Sequence, residues 1–326
     1  MDTHNHRDTN FGANEPEIKP DVSLYLSSCP RDPAVVTDIS LIEVHMEFKM
    51  DLNDDPFRDS RDSNDPFEND SKASADTMGQ ITCYATQQLA KQFRTHAFSV
   101  LVCKDTARLI RWDRSGAVVT SSFSYVKEPW LAQFFWRYAK SSPATRGVDE
   151  SVVAPTEADA THVKEAREAL GLGEEAPLLK FAIYGEEGGE VSYCFGHKPW
   201  FKGNGSPTGR ATRVFTVYSP DYNKSVLMKD TWRVSFRGMQ TEGAIYQRLK
   251  DAKVSHIAHF LRGGDVASRF CRTRSHKFAK RFGLKLRPHS HYRFILEDIG
   301  RDLTSFETTK ELVKIMADAM QGTPKR

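Results

Sequence analysis

The chain has 326 residues, of which 39% are apolar and 11% aromatic, so it is long and apolar enough to form about two folded domains. Its 46 basic and 43 acidic residues leave a formal net charge of +3, which is too small by itself to indicate a nucleic-acid or membrane-surface protein, so the local distribution of charge must decide. The five cysteines are dispersed, odd in number and without a Cys-x-x-Cys pair, so they indicate neither a disulfide framework nor a zinc ribbon. The N-terminus lacks the apolar core of a signal peptide, and no apolar run approaches a membrane span. We therefore expect an intracellular protein, cytoplasmic or nuclear, without a membrane partner.

Changes in composition divide the chain into two domains. Residues 1–17 are polar and without periodicity, which predicts a disordered tail. A first domain over 18–145 contains an acidic stretch, 51–76, with nine acidic and three basic residues, and we expect this stretch to be a disordered loop. Pro, Gly and Ser residues over 146–176 indicate a linker, and a second domain follows over 177–326.

A strand over 42–49 carries the first candidate site residues. Apolar and polar residues alternate there, which predicts a half-buried strand with Glu47 and Lys49 on its polar face. A short apolar segment after Pro20 and Asp21 can pair with this strand and bring Asp21 beside Glu47. Two carboxylates at that distance can hold Mg²⁺ or Mn²⁺, and a lysine on the same face can orient or deprotonate a water aimed at a phosphodiester.

A helical pattern follows the acidic stretch and adds two further residues to this group. Gln80 and Tyr84 are spaced i, i+4, so they share the helix face that we expect to point toward the Glu47 strand. Taken together, Pro-Asp, Glu-x-Lys and Gln-x-x-x-Tyr resemble the PD-(D/E)XK nuclease superfamily. The resemblance implies an α/β domain with Asp21 and Glu47 as metal ligands and with Lys49, Gln80 and Tyr84 completing a catalytic group. The fold is a firmer expectation than cleavage, because a fold does not imply a function.

The second domain begins with short apolar strands separated by Gly, Asn and Pro turns, which predicts an antiparallel meander. The fourth strand, 226–229, ends at Lys229, and the helix that follows carries Glu242. A strand-end lysine held by a helical glutamate is how a kinase-like small lobe presents an ammonium to the phosphates of ATP. The upstream hairpin has only Gly209 well placed where a kinase has a glycine-rich loop.

Longer strings along the chain resemble the fungal-type protein kinase family over about residues 18 to 320. They are Thr208-Gly209-Arg210, Lys229-Asp230-x-Trp232-Arg233, Glu242-Gly243-x-Ile245-Tyr246, Gly263-Gly264-Asp265-Val266 and, in the first domain, Arg108-Leu109-Ile110-Arg111-Trp112-Asp113. The resemblance implies ATP as cofactor, with Gly209, Lys229 and Glu242 at its site. The expected fold class is α+β: a PD-(D/E)XK-like α/β domain, then a kinase-like small lobe with an antiparallel sheet and one helix.

Kinase catalysis also needs a His-Arg-Asp-type loop, its asparagine and an Asp-Phe-Gly-type aspartate, and none of these follows Glu297. The last asparagine in the sequence is Asn223. We therefore expect a kinase-like small lobe truncated before the catalytic loop and inactive in phosphoryl transfer by itself. A final amphipathic helix over 309–320 would begin the large lobe, and its apolar face predicts a protein partner.

Residues 262–293 hold ten Lys or Arg and one acid, Asp265. We favour a solvated insertion between two strands over a nucleic-acid contact for this segment. Three functions remain open: a kinase-family protein with an ATP site, a metal-dependent nuclease using Asp21, Glu47 and Lys49, and a noncatalytic module whose acidic loop and basic insertion recruit partners.

Overall fold

The computed structural model describes residues 18–321 apart from 30–31, 33–34, 36, 60–65, 187–189, 203–204 and 280–283. The tail expected over 1–17 lies outside the described residues. The chain forms two compact units, one within residues 1–150, 204–211 and 272–289, and the other within residues 151–203, 212–271 and 290–326. The longest segment of the first unit extends to residue 150, and the domain over 18–145 stays a prediction. The two later segments that join the first unit were not predicted.

The elements up to residue 146 are, in chain order, β1 (Val22–Leu24), β2 (Val44–Lys49), α1 (Lys72–Lys91), β3 (Ala97–Cys103), β4 (Thr106–Asp113), β5 (Gly116–Val119), β6 (Phe123–Ser124), α2 (Trp130–Lys140) and α3 (Pro143–Arg146). The later elements are β7 (Val152–Val153), α4 (Ala160–Leu170), β8 (Leu179–Ile183), β9 (Ser192–Gly196), β10 (Phe201–Lys202), β11 (Arg213–Ser219), β12 (Lys224–Val234), α5 (Glu242–Asp251), β13 (Phe260–Asp265), α6 (Ser275–Ala279), β14 (His289–Leu296) and α7 (Thr309–Gln321). Helices and strands are mixed in both groups, which confirms the α+β class.

The first unit is a sheet of order β1-β2-β3-β4-β5, with β6 paired to β4. β2 and β3 are parallel and are joined by α1, whereas the other pairs are antiparallel. On one face of the sheet, Ile81, Ala85 and Leu89 of α1 pack in a core with Leu101. On the other face, aromatic side chains of α2 pack against Val100 and its neighbours. Both faces are therefore covered, as a parallel crossover requires.

Most of the acidic stretch is folded, which corrects the expectation of a disordered loop. Phe57 is buried in the core beside α1. Arg108 of β4 donates from Nε to Asp55 Oδ2 at 2.8 Å and from a terminal nitrogen to Asp59 Oδ1 at 2.7 Å. The buried guanidinium of Arg108 compensates the negative charge of these two carboxylates. The acidic composition of the stretch therefore did not imply a solvated, disordered chain. Residues 60–65 lie outside the described part.

The second unit is a sheet of order β13-β14-β12-β11-β9-β8-β7, with β10 on β11. β8, β9, β11 and β12 form the expected antiparallel meander. The linker expected over 146–176 is wrong, because α4 lies within it and buries Ala166 against Phe195 and Tyr218. The Pro and Gly residues that suggested a linker lie in the short turns around this helix.

A buried ionic cluster joins β12 to β14 in the second unit. His291 Nε2 lies 2.6 Å from Asp230 Oδ1, and Arg293 Nε donates to the same oxygen at 3.0 Å. The ring of Trp232 stacks on His291 with centroids 4.9 Å apart. Burial opposes the charge of Asp230, but the cationic partners outweigh it and hold the Asp230 pKa far below its usual value. The cluster fixes the strand that carries Lys229, the residue next to Asp230.

The final helix, α7, buries none of its side chains. Val313, Met316 and Met320 are all more than half exposed. Among the helices of the described residues, none has the length and apolar character needed to cross a bilayer.

Candidate functional site

The pairing of β1 with β2 determines where the first two candidate residues lie. Val22 is opposite Met46 in this antiparallel pair, so Asp21 lies beside Glu47 as the sequence predicted. The Asp21 carboxylate accepts a hydrogen bond from the Phe48 backbone N–H at 2.8 Å. This bond holds the Asp21 side chain against the end of β2.

Lys49 joins the strand to the helix in the same pocket. Its Nζ donates to Glu47 Oε1 and to Gln80 Oε1, both at 2.7 Å. Gln80 lies in the middle of α1, which crosses over this face of the sheet. The crossover therefore places the amide of Gln80 and the Glu-x-Lys pair together.

Tyr84 lies one turn further along α1 and is nearly buried. Its hydroxyl donates to the Lys19 carbonyl at 3.0 Å, and its ring meets His45 edge to face at 5.6 Å. The five predicted residues share one pocket of about 500 Å³, lined by Lys19, Asp21, Glu47, Phe48, Lys49, Gly79, Gln80, Cys83 and Tyr84. The hydroxyl of Tyr84 bonds to the chain entering β1 and does not bond to Lys49.

Burial distinguishes Glu47 from an ordinary surface glutamate. Only 3% of the residue is exposed, and its Oε2 has no hydrogen-bond partner among the described residues. Burial raises the Glu47 pKa, the nearby Asp21 charge raises it further, and Lys49 counteracts both. A buried carboxylate oxygen without a donor is suited to accept a proton or to ligate a hard cation.

The alternation in β2 predicted the wrong degree of exposure for two residues. Phe48 is 43% exposed, whereas Glu47 of the expected solvated face is buried. The physical reason for the burial of Glu47 is that α1 packs over the polar face of β2, where Tyr84 meets His45 and Gln80 meets Lys49. The resulting position of Glu47 is more protected than its sequence pattern indicated.

The second candidate group lies in the other unit, between β12 and α5. Lys229 Nζ is 2.6 Å from Glu242 Oε2, and each side chain is about a quarter exposed. The Lys229 ammonium also lies 5.5 Å from the centre of the Phe294 ring, which is buried in β14. One side of the ammonium is therefore packed, while the other is accessible to a ligand.

A set of hydrogen bonds at the start of α5, which the sequence did not reveal, fixes the position of Glu242. Tyr292 Oη accepts from the Gly243 N–H at 2.9 Å and donates to Glu186 Oε1. Thr241 caps the helix, accepting from the Ala244 N–H at 3.1 Å and donating to the same Glu186 oxygen at 2.7 Å. We call Glu186, Thr241, Gly243 and Tyr292 the α5 clasp. In the sequence, the indication of this clasp is the glycine that directly follows Glu242.

Gly209 belongs to the first unit and not to the unit that holds Lys229 and Glu242. Its φ is +92°, which favours glycine, and its N–H donates to the Arg114 carbonyl at 2.9 Å. The backbone donor that was expected to meet a phosphate is thus already hydrogen-bonded. The structure brings Lys229 and Glu242 together but gives Gly209 a different partner.

The family model described as "Fungal protein kinase" matches residues 65–281, which is more than half of the chain. The chain therefore belongs to the fungal protein kinase family. Neither the curated proteins nor the solved structures include a match to it.

Proposed function

We propose that the second unit binds the phosphates of ATP through Lys229 and that Glu242 holds the ammonium in place. The observation that carries this proposal is the 2.6 Å ion pair between β12 and the first residue of α5. An ammonium oriented by a helical carboxylate is the arrangement with which kinases contact the α- and β-phosphates. Membership of the fungal protein kinase family supports ATP as the nucleotide and a divalent ion as its companion.

Under this proposal the 326-residue polypeptide binds nucleotide without transferring phosphate by itself. Phosphoryl transfer depends on a base and on metal ligands that stabilise charge in the transition state. The sequence contains no asparagine after Asn223, so these residues do not supply the catalytic-loop ligand. Lys229 and Glu242 then serve binding and orientation.

Calorimetric titration with ATP and Mg²⁺ tests the proposal. Lys229→Met should weaken ATP binding by about tenfold or more, since it removes a charge-assisted contact. Lys224→Met is the matched control, because Lys224 lies on the same strand and pairs with Glu297 instead. Equal affinities of both variants and the unaltered chain would contradict the assignment of Lys229, and absence of ATP binding would contradict the function.

The first unit supports a second candidate function, metal-dependent hydrolysis of a phosphodiester. The observation that favours it is the buried, unpartnered Glu47 Oε2 beside Asp21 in a polar pocket. We propose that Asp21 and Glu47 hold Mg²⁺ or Mn²⁺, an ion that would polarise the phosphate and lower the pKa of a bound water. Lys49 would orient that water, and Gln80 would keep the lysine in position.

Binding of Mn²⁺, followed by paramagnetic resonance, tests this second function before any nuclease assay. Glu47→Gln should abolish Mn²⁺ binding at the site, whereas Glu68→Gln, at an exposed residue of the same unit, should leave it unchanged. A preparation that binds Mn²⁺ and cleaves DNA or RNA only with Glu47 intact would support hydrolysis. Equal Mn²⁺ binding by both variants would exclude Glu47 as a ligand.

A further inference from the structure

The loop between β13 and β14 concentrates positive charge. Residues 272–289 contain seven Lys or Arg and no Asp or Glu. The sequence alone favoured a solvated insertion here. From the arrangement of the charges in the structure, we propose instead that the exposed cations of this loop form a binding surface for single-stranded nucleic acid. We call them the basic strip: Arg272, Arg274, Lys277, Lys285 and Arg287. This proposal is independent of both proposed functions.

Asp113 anchors the first arm of the loop within the first unit. Its carboxylate accepts from the Arg274 N–H at 2.8 Å, from the Ser275 N–H at 3.1 Å and from Ser275 Oγ at 2.5 Å. Burial alone would raise the Asp113 pKa, but these bonds and the charge of Arg111 hold it below its usual value. A buried, ionised Asp113 therefore fixes the backbone that carries the first cations.

Ser115, at the turn between β4 and β5, holds the two arms of the loop together. Its Oγ lies 2.6 Å from Thr273 Oγ1 and 2.7 Å from the Arg287 carbonyl oxygen. The Thr273 N–H also donates to the His289 carbonyl at 3.0 Å. Arg287 is consequently held close to Arg272 and Arg274, although they are more than ten positions apart in sequence.

Burial alternates along the first arm, so the fixed backbone directs the cations outward. Thr273 and Ser275 are buried, whereas Arg272 and Arg274 are exposed. Within the described part of the chain, Arg272, Lys277, Lys285 and Arg287 form no ion pair. Asp113 is only 1% exposed and is occupied by its backbone and side-chain donors. The charges of these four cations are therefore not paired with a carboxylate among the described residues.

A chain of phosphates with accessible bases is the ligand chemistry that this surface fits. Closely spaced Lys and Arg contact successive phosphates, and an aromatic side chain among them stacks on a base. Phe278, on α6 beside Lys277, is 45% exposed. The exposed ring can stack on an unpaired base, whereas the carboxylates of an acidic peptide offer it no stacking partner. This difference favours a single-stranded nucleic acid over an acidic protein.

Fluorescence anisotropy with a labelled oligothymidylate of about 20 nucleotides tests the proposal between about 50 and 200 mM NaCl. The strip variant carries Arg272→Ser, Lys277→Ser and Arg287→Ser. The control variant carries Arg237→Ser, Lys250→Ser and Lys310→Ser, three exposed cations of the other unit, and loses the same charge. All six side chains are exposed, so circular dichroism should show both variants folded.

We expect the strip variant to bind the oligonucleotide at least about tenfold more weakly than the unaltered chain. The slope of log affinity against log salt concentration should be smaller by about 2, because each phosphate contact contributes about 0.7 to that slope. The control should differ from the unaltered chain by less than about twofold. The proposal is overturned if the unaltered chain does not bind the oligonucleotide, or if both variants lose affinity equally. It is also overturned if polyglutamate displaces the oligonucleotide at equal charge concentration, which would assign the surface to an acidic protein.

Discussion

Lys229 and Glu242 form an ion pair of 2.6 Å although they lie on different elements, a strand and the first turn of a helix. The pair exists because the α5 clasp holds that turn against β14. Glu242 is thus positioned by residues that do not contact Lys229 themselves. This dependence makes the Lys229–Glu242 pair sensitive to changes at the clasp.

Gly243→Ala should separate the pair and destabilise the second unit. A Cβ at residue 243 would lie 2.6 Å from Tyr292 Oη and 2.7 Å from Phe260 Cζ, so the helix start must move. We expect a loss of about 1–3 kcal/mol in the free energy of unfolding, as overpacking usually costs. Urea titration measures it, and Gly300→Ala, where a Cβ meets nothing within 4 Å, should cost far less. Equal costs at the two glycines would contradict the clasp.

Tyr292→Phe isolates the hydrogen bonds of the clasp without adding bulk. The variant keeps the ring but removes the acceptor of the Gly243 N–H, so Glu242 should hold Lys229 less firmly. We expect ATP affinity to fall severalfold, with adenosine affinity unchanged because adenosine has no phosphate. A loss of affinity that is equal for ATP and adenosine would indicate a general structural effect.

Glu43→Ala should strongly destabilise the first unit. Glu43 and Arg94 are both buried, and Glu43 Oε1 accepts from Arg94 at 2.9 Å. Glu43 Oε2 accepts from the hydroxyl of the partly buried Tyr138 at 2.7 Å. Removing the carboxylate leaves the buried Arg94 guanidinium without the carboxylate of its ion pair, which costs about 3–5 kcal/mol. Urea titration should show this loss, whereas Glu68→Ala should change stability by less than about 0.5 kcal/mol. A small effect at Glu43 would mean that Arg94 is reached by water.

Two buried histidines make the first unit less stable in mild acid. Burial lowers the pKa of His45 to about 4 and, aided by the charge of Arg111, that of His96 to about 3. In the unfolded chain each imidazole titrates near 6.5, so between about pH 6.5 and 4 the unfolded state binds more protons and stability falls as the pH falls. Each histidine should cost about 1.4 kcal/mol per pH unit in that window.

His45→Phe tests this pH dependence. Phenylalanine keeps the ring packing against Tyr84 but cannot bind a proton. The loss of unfolding free energy between pH 7 and pH 5 should therefore be smaller in the variant than in the unaltered chain, by about 2 kcal/mol. An identical loss in both proteins would show that His45 does not remain neutral in the folded state.

The local pattern of the sequence predicted much of the first pocket. Asp21 and Glu47 are adjacent because an apolar segment follows one and a strand contains the other, and the i, i+4 spacing put Gln80 and Tyr84 on one face of α1. Each of these placements depends on residues close together in sequence or on the pairing of two strands, and the periodicity of apolar residues predicts both. The burial of Glu47 depends on α1 packing over β2, which alternation within the strand does not record.

Contacts between residues far apart in sequence explain most of the remaining differences between the predictions and the structure. The acidic stretch is folded because Arg108, about fifty residues away, binds Asp55 and Asp59. Gly209 has its N–H bonded to Arg114, a contact between positions far apart in sequence. Composition describes each segment by itself, and partners at such separations are determined only when the chain folds.

Acylation of lysines by acetic anhydride, read by mass spectrometry with and without ATP and Mg²⁺, tests the central claim most directly. If Lys229 contacts the phosphates, saturating ATP should lower its labelling severalfold, adenosine should not, and Lys224 on the same strand should be labelled equally in all samples. Labelling of Lys229 that does not change under saturating ATP would contradict the claim that this lysine holds the nucleotide.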